Sequence, residues 1–225
     1  MDWMMKKFNM KTDLLLLVSV IIFCGCQSNG EKSSRVDRLP YYNEATFTPL
    51  WLNEGDKALE KLHRISPFKL FNQEGKTITE KDFEGKIYVT NFFFTFCPGI
   101  CPQMMANMMD LQEEFLEDED ILLLSHSVTP ERDSIPVLKA YAENKGILSQ
   151  NWHLVTGKQE DIYKLGRKDY FVEEDLGIEK DIDEFLHTEN LVLIDKNAHI
   201  RGIYNGLDKN SIKQLVADIK TLKKE

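Results

Sequence analysis

Two closely spaced cysteines are the residues of this sequence best suited to chemistry. Cys97 and Cys101 are separated by three residues in the segment CPGICP, so that Pro102 follows the pair directly. Because proline is tolerated in the first turn of a helix, Cys101 is predicted at a helix start, where unpaired N–H groups and the helix dipole favour a thiolate. Such thiolates are redox-active or bind soft metals. A structural disulfide is the alternative, but a bridge that closes so short a loop contributes little stability.

The pattern along residues 66–225 predicts alternating strands and helices, and the cysteine pair lies between one such strand and the helix that follows it. Dense apolar runs at 87–94 and 121–127 predict central strands that are buried on both faces. The other predicted elements are strands at 68–71, 152–156, 191–194 and 200–204 and helices at 103–115, 136–144, 158–169 and 209–222. A cysteine pair directly after a central strand, at the start of a helix, is the arrangement of the thioredoxin fold. We therefore predict an α/β, thioredoxin-like fold with an N-terminal extension.

A third donor is available at His187, just before the predicted strand at 191–194. In a thioredoxin-like fold the loop before that strand lies against the cysteine loop. Two thiolates and one imidazole form a soft three-coordinate set that suits Cu(I), whereas a structural zinc site needs a fourth protein ligand. We therefore predict copper as the bound metal, as Cu(I) with Cu(II) as an alternative, held by Cys97, Cys101 and His187.

The distribution of proline favours metal binding over general thiol–disulfide exchange. Thioredoxins and their disulfide-exchanging relatives carry a cis-proline immediately before the strand that faces the cysteines. Here residues 187–190 read HTEN, and all seven prolines lie at or before Pro136. A thiol–disulfide oxidoreductase that uses Cys97 and Cys101 as a redox pair is therefore the alternative rather than the first hypothesis.

The remaining histidines and the methionines have simpler interpretations. Four further histidines are read as structural or exposed: His63, His126, His153 and His199. Four methionines follow the cysteine pair on the predicted helix: Met104, Met105, Met108 and Met109. Thioethers are soft ligands and a copper transfer surface is conceivable, but methionine usually fills irregular cores and partner surfaces, which is the interpretation we prefer.

The N-terminal residues predict export and a membrane anchor. Lysines precede an apolar run at 14–23, which has the length of a signal-peptide core and is too short to span a bilayer comfortably. The run ends in FCGC, and a small residue directly before Cys26 resembles a bacterial lipobox. The resemblance implies a signal peptide at 1–25, cleavage before Cys26 and acylation of its sulfur. An uncleaved anchor is the alternative, and both predict a membrane-anchored protein of the cell envelope that faces the periplasm or the exterior.

Three segments follow the predicted signal peptide. Residues 26–38 are polar and predict a flexible tether. Residues 39–65 are too aromatic for a free linker and predict an extension that packs on the domain at 66–225. A hydrophobic content of 42% predicts a globular body, and the net charge of −9 argues against nucleic-acid binding.

Several blocks of this sequence together resemble the Sco/SenC family, from about residue 39 to the last residue. The most specific block is NFFFTFCPGICP at 91–102. The supporting blocks are LPYYN at 39–43, SVTPERD at 127–133, NWHLVTG at 151–157 and His187 before LVLID at 191–195.

The resemblance implies a copper chaperone that helps to metallate the binuclear copper centre of cytochrome c oxidase subunit II, with a thiol-reductase role towards the cysteines of that subunit. It implies Cys97, Cys101 and His187 as metal ligands. The expected partners are that subunit or another copper enzyme, other copper carriers, and the membrane through a lipid anchor. Many members carry an acid where this chain has Gly99 and Thr129, so a role for those acids is not available here. An envelope thiol–disulfide oxidoreductase and a copper or redox sensor are the alternatives.

Overall fold

Nine strands and four α-helices alternate along the residues that the computed structural model describes, which are 33–53, 55–173, 186 and 188–225. The strands are β1 (Tyr41–Tyr42), β2 (Pro49–Leu50), β3 (Lys69–Asn72), β4 (Thr77–Thr79), β5 (Ile87–Phe93), β6 (Ile121–Ser127), β7 (Trp152–Thr156), β8 (Asn190–Ile194) and β9 (Ile200–Asn205). The α-helices are α1 (Cys101–Glu114), α2 (Ile135–Lys145), α3 (Gln159–Lys164) and α4 (Lys209–Leu222). Helix α3 continues as a π-helical turn over Leu165–Asp169, and short 3₁₀ turns occur at Lys57–Lys61 and Glu80–Phe83.

The strands form one mixed sheet in the order β2-β1-β9-β8-β5-β6-β7-β3-β4. Strands β5, β6 and β7 run parallel, and β8 lies antiparallel to β5 on its other side. Every residue of β5 and β6 is buried. A strand that is covered on both faces needs apolar residues at nearly every position, which explains the dense apolar runs in the sequence. The prediction of an α/β fold is confirmed.

Two hydrophobic cores cover the two faces of the sheet. Successive side chains of a strand point to opposite faces, so β5 contributes Val89 and Phe93 to the first core and Tyr88 and Phe92 to the second. The first core also contains residues of α1, α2 and α4, whereas the second contains residues of α3 and its π-helical turn. Cys101, the first residue of α1, belongs to the first core, so packing on the sheet fixes the start of this helix.

The segment before β3 packs against the sheet and against α4. Strand β1 pairs antiparallel with β9, where Tyr42 lies opposite Ile200. Nearer the N-terminus, the Ser34 hydroxyl donates a hydrogen bond to the Asp218 carboxylate over 2.6 Å. The boundaries at 38/39 and 65/66 stay predictions.

A buried guanidinium holds this segment to the domain. Arg201 is only 3% exposed, and its N–H groups donate to the backbone carbonyls of Leu39 (2.6 Å) and Pro40 (3.1 Å). They also donate to the carboxylates of Asp195 (3.2 Å) and Glu225 (2.6 Å). Because a buried charge is stable only when it is paired and hydrogen-bonded, Arg201 couples docking of the extension to the completion of its own bonds.

Candidate functional site

The cysteine pair lies where the central strand β5 passes into α1. Strand β5 ends at Phe93 and α1 begins at Cys101, so Cys97 belongs to the connecting loop, where its N–H donates to the Phe94 carbonyl over 3.4 Å. Cys97 is partly exposed, Cys101 is buried, and both are free thiols. Hydrogen bonding between the two thiols favours the proton on Cys101 and the negative charge on Cys97. The fold therefore brings the two cysteines together and leaves one sulfur open to solvent.

The two thiols differ in acidity. Burial raises the pKa of Cys97, but hydrogen bonds donated to its sulfur by the Cys101 thiol and by the N–H groups of Cys101, Gly99 and Ile100 outweigh burial and hold that pKa below its ordinary value. Burial raises the pKa of Cys101 to about 12, and the proton that Cys101 shares with Cys97 adds to the effect. Of the two cysteines, Cys97 is therefore the more acidic and the better nucleophile, and Cys101 holds its proton more tightly.

The pKa shift of Cys101 runs opposite to the effect expected of a helix start, because burial raises it. The prediction assumed that the free N–H groups of the helix start would act on the first residue of the helix. Those N–H groups point back out of the helix, towards a group that lies in front of it. Here that group is the sulfur of Cys97, four residues earlier, while Cys101 faces the core.

The unequal acidity leads to unequal reactivity towards an alkylating agent such as iodoacetamide. Because the thiolate is the reactive form, the alkylation rate of Cys97 should rise with pH up to its lowered pKa and level off above it, at a lower pH than for an ordinary cysteine. Cys101 should stay nearly unreactive at about pH 8. Timed alkylation followed by peptide mass spectrometry measures both rates. Cys101→Ser, which keeps a hydroxyl donor, should retain the fast reaction and Cys97→Ser should lose it; equal rates at the two cysteines would contradict this assignment.

A buried carboxylate supports the cysteine loop. Asp133 is fully buried, and it accepts hydrogen bonds from the Thr95 hydroxyl (2.5 Å) and the Thr95 N–H (3.2 Å). It also accepts from the hydroxyls of Ser127 (2.6 Å), at the end of β6, and Thr129 (3.1 Å). Because Thr95 lies two residues before Cys97, Asp133 ties the loop to the end of β6. Sequence reasoning missed this role, although a carboxylate shortly after two hydroxyl residues at the end of a buried strand is a usable signal.

Gly99 and Thr129, the two positions at which many members of the resembling family carry an acidic residue, differ in their surroundings. A Cβ atom added to Gly99 would meet only the Cys97 sulfur, at 4.0 Å, so the loop has room for a side chain there. Thr129 has a partner of its own, because its hydroxyl donates to Asp133. A second carboxylate at position 129 could not donate in this way unless it were protonated.

The methionines of α1 fill the first core. Met104, Met105 and Met108 are buried and Met109 is partly buried. The sulfur of Met105 also accepts a hydrogen bond from the Asn91 amide over 3.7 Å. The positions of Met104, Met105 and Met108 confirm the interpretation of these methionines as core residues.

His187 and the predicted lipidation site Cys26 lie outside the described residues. The neighbours of His187 are described: Leu186 is 1% exposed, and Thr188 is also buried. Within the described part of the chain, no three histidine, cysteine or carboxylate side chains are grouped so that they could hold a metal ion. None of the helices in that part is long and apolar enough to cross a membrane. The three-ligand site therefore stays a prediction that depends on His187.

The other histidines have structural surroundings, as the sequence predicts. His126 is fully buried, stacks on Phe92 at 4.7 Å between ring centroids, and burial lowers its pKa to about 3. The His63 ring lies 2.7 Å from the Asp169 carbonyl, and the His199 ring lies 2.9 Å from the His63 carbonyl. His153 lies within β7, where burial lowers its pKa. All four are parts of the scaffold.

Comparison with known proteins gives a consistent result. The family model described as SCO1/SenC matches residues 56–224. The SCO1 protein homolog of Bacillus subtilis is 30% identical over 163 residues, which cover 71% of this chain and 82% of that protein.

Solved structures agree in fold. The crystal structure of a SCO1/SenC family lipoprotein from Bacillus anthracis superposes with a TM-score of 0.62 at 32% identity and covers 72% of this chain and 95% of that one. BsSco, described with a disulfide switch as a member of the Sco family of cytochrome c oxidase assembly proteins, gives 0.60 at 28% identity, with coverages of 71% and 93%. Arabidopsis thaliana ScoI, whose crystal structure has copper bound, gives 0.55 at 26% identity, with coverages of 71% and 98%. The prediction of a thioredoxin-like fold of the Sco type is confirmed.

Proposed function

The chain belongs to the SCO1/SenC family, and from this premise we propose that it binds one Cu(I) through Cys97, Cys101 and His187 and serves the assembly of cytochrome c oxidase. The observation that carries the proposal is the arrangement of the two free thiols at the edge of the core. One sulfur is accessible and favoured as a thiolate, and the other is buried directly behind it. Copper bound to ScoI of Arabidopsis thaliana supports the choice of metal.

The chemistry of the donors fits Cu(I). Thiolate sulfur is a soft ligand and imidazole suits copper, so two sulfurs and one nitrogen favour this ion over hard cations. The loop that carries Cys97 is braced by Asp133 on one side and by the start of α1 on the other, so two of the three donors are already held together before the metal arrives. Preorganised donors bind more tightly because less freedom is lost on binding.

Exposure of the loop that carries Cys97 supports delivery of copper to a partner. Cys97 is partly exposed, and the neighbouring Phe96 is 71% exposed, so a partner can approach the sulfur from solvent. A three-coordinate Cu(I) leaves room for an incoming thiolate, and transfer can then proceed by exchange of ligands without release of free copper. We propose cytochrome c oxidase subunit II as the recipient, with another copper enzyme or another copper carrier as alternatives.

Oxidation of the pair provides a way to empty the site. If a disulfide-bearing partner oxidises the copper-bound pair, the thiolates of Cys97 and Cys101 give up two electrons and form a disulfide, and the partner's disulfide takes up these electrons with two protons from solvent and becomes two thiols. The resulting disulfide in this chain has no thiolate left for copper. The disulfide switch described for BsSco supports this part of the proposal.

A thiol–disulfide oxidoreductase is the second candidate function. The observation that favours it is the split in acidity, because a low-pKa accessible Cys97 and a protonated buried Cys101 are what an attacking and a resolving cysteine require. This activity needs no imidazole, so it should survive His187→Ala and disappear in Cys97→Ser.

We further propose that acylated Cys26 anchors the chain in the cell envelope. The apolar run at 14–23 and the small residue before Cys26 support this placement. The lipoprotein of Bacillus anthracis shows that a relative of the same fold is described in this way.

A Cu(I) titration against a chromophoric chelator tests the proposal. With the reduced full chain in detergent, we expect one tight equivalent of Cu(I), and we expect Cys97→Ser, Cys101→Ser and His187→Ala each to weaken it at least about tenfold. Met109→Leu is the control, because it removes a partly exposed sulfur on α1 that the proposal does not use. Binding that ignores His187, together with ready disulfide exchange, would replace the copper proposal by the oxidoreductase.

A further inference from the structure

A large apolar side chain lies exposed beside the reactive thiol. Phe96, the residue before Cys97, is 71% exposed, whereas Phe92 and Phe93 at the end of β5 are 3% and 1% exposed. No other large apolar side chain in the described part of the chain is as exposed as Phe96. Leaving a phenyl ring in water forgoes the favourable burial that folding gives to most aromatic side chains, so we looked for what holds it there.

Hydrogen bonds on both sides of Phe96 fix its backbone. Thr95 donates through its N–H (3.2 Å) and its hydroxyl (2.5 Å) to the buried Asp133, so the residue before Phe96 is held against the domain. The Cys97 N–H donates to the Phe94 carbonyl over 3.4 Å, and this bond closes a tight turn with Thr95 and Phe96 at its centre. The turn therefore holds the ring of Phe96 in solvent.

The chain around this turn carries no charge. Aspartate, glutamate, lysine and arginine are all absent from residues 87–109, although 29% of the whole chain is charged. Burial explains their absence from β5, but Phe96, Pro98 and Gly99 are exposed, and exposed segments ordinarily carry charges. The sulfur of Cys97 is thus flanked along the chain by uncharged, largely apolar surface.

Thiol–disulfide exchange forces a partner to touch this surface. In the mixed disulfide that joins two chains during exchange, the Cα atoms of the two cysteines lie about 4.4–6.8 Å apart, and neighbouring Cα atoms along a chain lie about 3.8 Å apart. The residues next to the partner's cysteine therefore come within side-chain reach of Phe96 and Pro98. An apolar side chain there can bury itself against the phenyl ring, whereas a polar side chain would have to give up water.

We propose that Phe96 is a specificity-determining residue that favours partners whose reactive cysteine is flanked by uncharged, apolar residues. The inference deepens the proposed function and rests on the part of it in which Cys97 meets a cysteine of its partner. We expect a preference of about 4–15-fold in the rate of exchange, which corresponds to burial of about one or two methylene groups against the ring.

Two matched peptides test the inference. Both are uncharged and capped, each has a single cysteine joined to thionitrobenzoate, and they differ only in the residues on either side of that cysteine, which are leucine in one peptide and serine in the other. The Cys97 thiolate attacks the peptide's cysteine sulfur, the bond to thionitrobenzoate breaks, and thionitrobenzoate leaves as a thiolate. The full chain carries Cys101→Ser, so that no second thiol of the pair releases the bound peptide. Mass spectrometry of the segment that contains Cys97 measures the mixed disulfide over time.

Variants of Phe96 are compared in this background with a control elsewhere on the surface. Trp51→Ser is the control, because Trp51 is 60% exposed but lies in the extension, after β2. Each exchange rate is divided by the rate at which iodoacetamide alkylates Cys97 in the same variant, so that a change in the acidity of Cys97 cancels. The leucine peptide should react about 4–15-fold faster than the serine peptide in the chain with Phe96 and in Trp51→Ser. Phe96→Leu should keep most of this preference, and Phe96→Ser should lose it.

Equal rates for the two peptides in the chain with Phe96, or a preference that Phe96→Ser leaves intact, would overturn the inference. If iodoacetamide alkylated Cys97 but neither peptide formed a mixed disulfide, the proposed exchange at Cys97 would fail and the inference with it. The copper site is tested separately, because the Cu(I) titration of His187→Ala involves no peptide. A titration that ignored His187, together with a peptide preference that depends on Phe96, would remove the copper proposal and support the inference.

Discussion

Replacing Asp133 by alanine is expected to lower the free energy of unfolding by about 3–5 kcal/mol and to slow alkylation of Cys97 at neutral pH. The substitution leaves three hydroxyls and one N–H near the core without their acceptor. Leaving one buried donor unsatisfied costs about 1–3 kcal/mol, and the exposed members of the group regain part of this from water. The Thr95 N–H and hydroxyl are among these donors, so the loop before Cys97 loses its attachment to β6.

The effect on Cys97 follows from the geometry of the loop. Its pKa is low only while the N–H groups of Gly99, Ile100 and Cys101 point at its sulfur. A loosened loop makes these bonds for less of the time, so the pKa of Cys97 should rise and the thiolate fraction at neutral pH should fall. Urea unfolding and timed alkylation measure the two effects separately.

Asp82→Ala is the matched control for Asp133→Ala. Asp82 accepts hydrogen bonds from the N–H (2.7 Å) and the hydroxyl (3.0 Å) of Thr79, the same two donor groups that Asp133 receives from Thr95, but it is exposed. Water can replace an exposed carboxylate, so this variant should lose much less stability and leave Cys97 unchanged. A similar loss in the free energy of unfolding in both variants would show that burial of Asp133 is not the cause of its effect on stability.

Replacing Arg201 by alanine is expected to lower the free energy of unfolding by about 3–5 kcal/mol, because it leaves the buried carboxylate of Asp195 and the partly exposed carboxylate of Glu225 without their cation. The carbonyls of Leu39 and Pro40 also lose their donor, so the extension should detach. Urea unfolding measures the stability, and limited proteolysis should cut within residues 39–65 at lower protease concentrations than in the unmodified chain.

Lys209→Ala provides the comparison for Arg201→Ala. The ion pair between Lys209 and Asp110 is short, at 2.5 Å, but both side chains are more than half exposed. Exposed pairs of this kind contribute between about 0 and 1 kcal/mol, so the variant should unfold almost as the unmodified chain does. If Arg201→Ala cost no more than Lys209→Ala, the docking of the extension would have to depend on β1 and its apolar contacts instead.

Strands β5 and β6 and helix α4 could be predicted because the spacing of their apolar residues reflects which of their faces are buried. The predicted strands at 87–94 and 121–127 agree with β5 and β6 to within one residue, and the predicted helix at 209–222 has the same bounds as α4. The short strands β1, β2 and β4 were not predicted. Each has only two or three residues, which is too few to show the alternation that marks a strand in a sequence.

The predicted helix at 158–169 shows why local patterns are insufficient near a site. It is divided into α3 and the π-helical turn, which follow different hydrogen-bond spacings. The turn contains Gly166, where a Cβ atom would meet the side chain of Leu186, twenty positions later. The acidity of the two cysteines also could not be predicted from local patterns. Spacing in the sequence identified the pair. Which of the two is more acidic depends on which sulfur the backbone N–H groups of Gly99, Ile100 and Cys101 face.

The long sequence separation between Arg201 and its partners sets the order in which the chain can complete its fold during synthesis. The guanidinium bonds to Leu39 across 162 positions, and Glu225 accepts from the Leu39 N–H across 186. On a ribosome, which releases the N-terminal end first, Leu39 has long emerged by the time Arg201 is made. Residues 39–65 must therefore wait undocked, with their aromatic side chains accessible to other chains or to chaperones. The hydrogen bonds that hold Leu39 in place therefore form late, after residues 201 and 225 have been made.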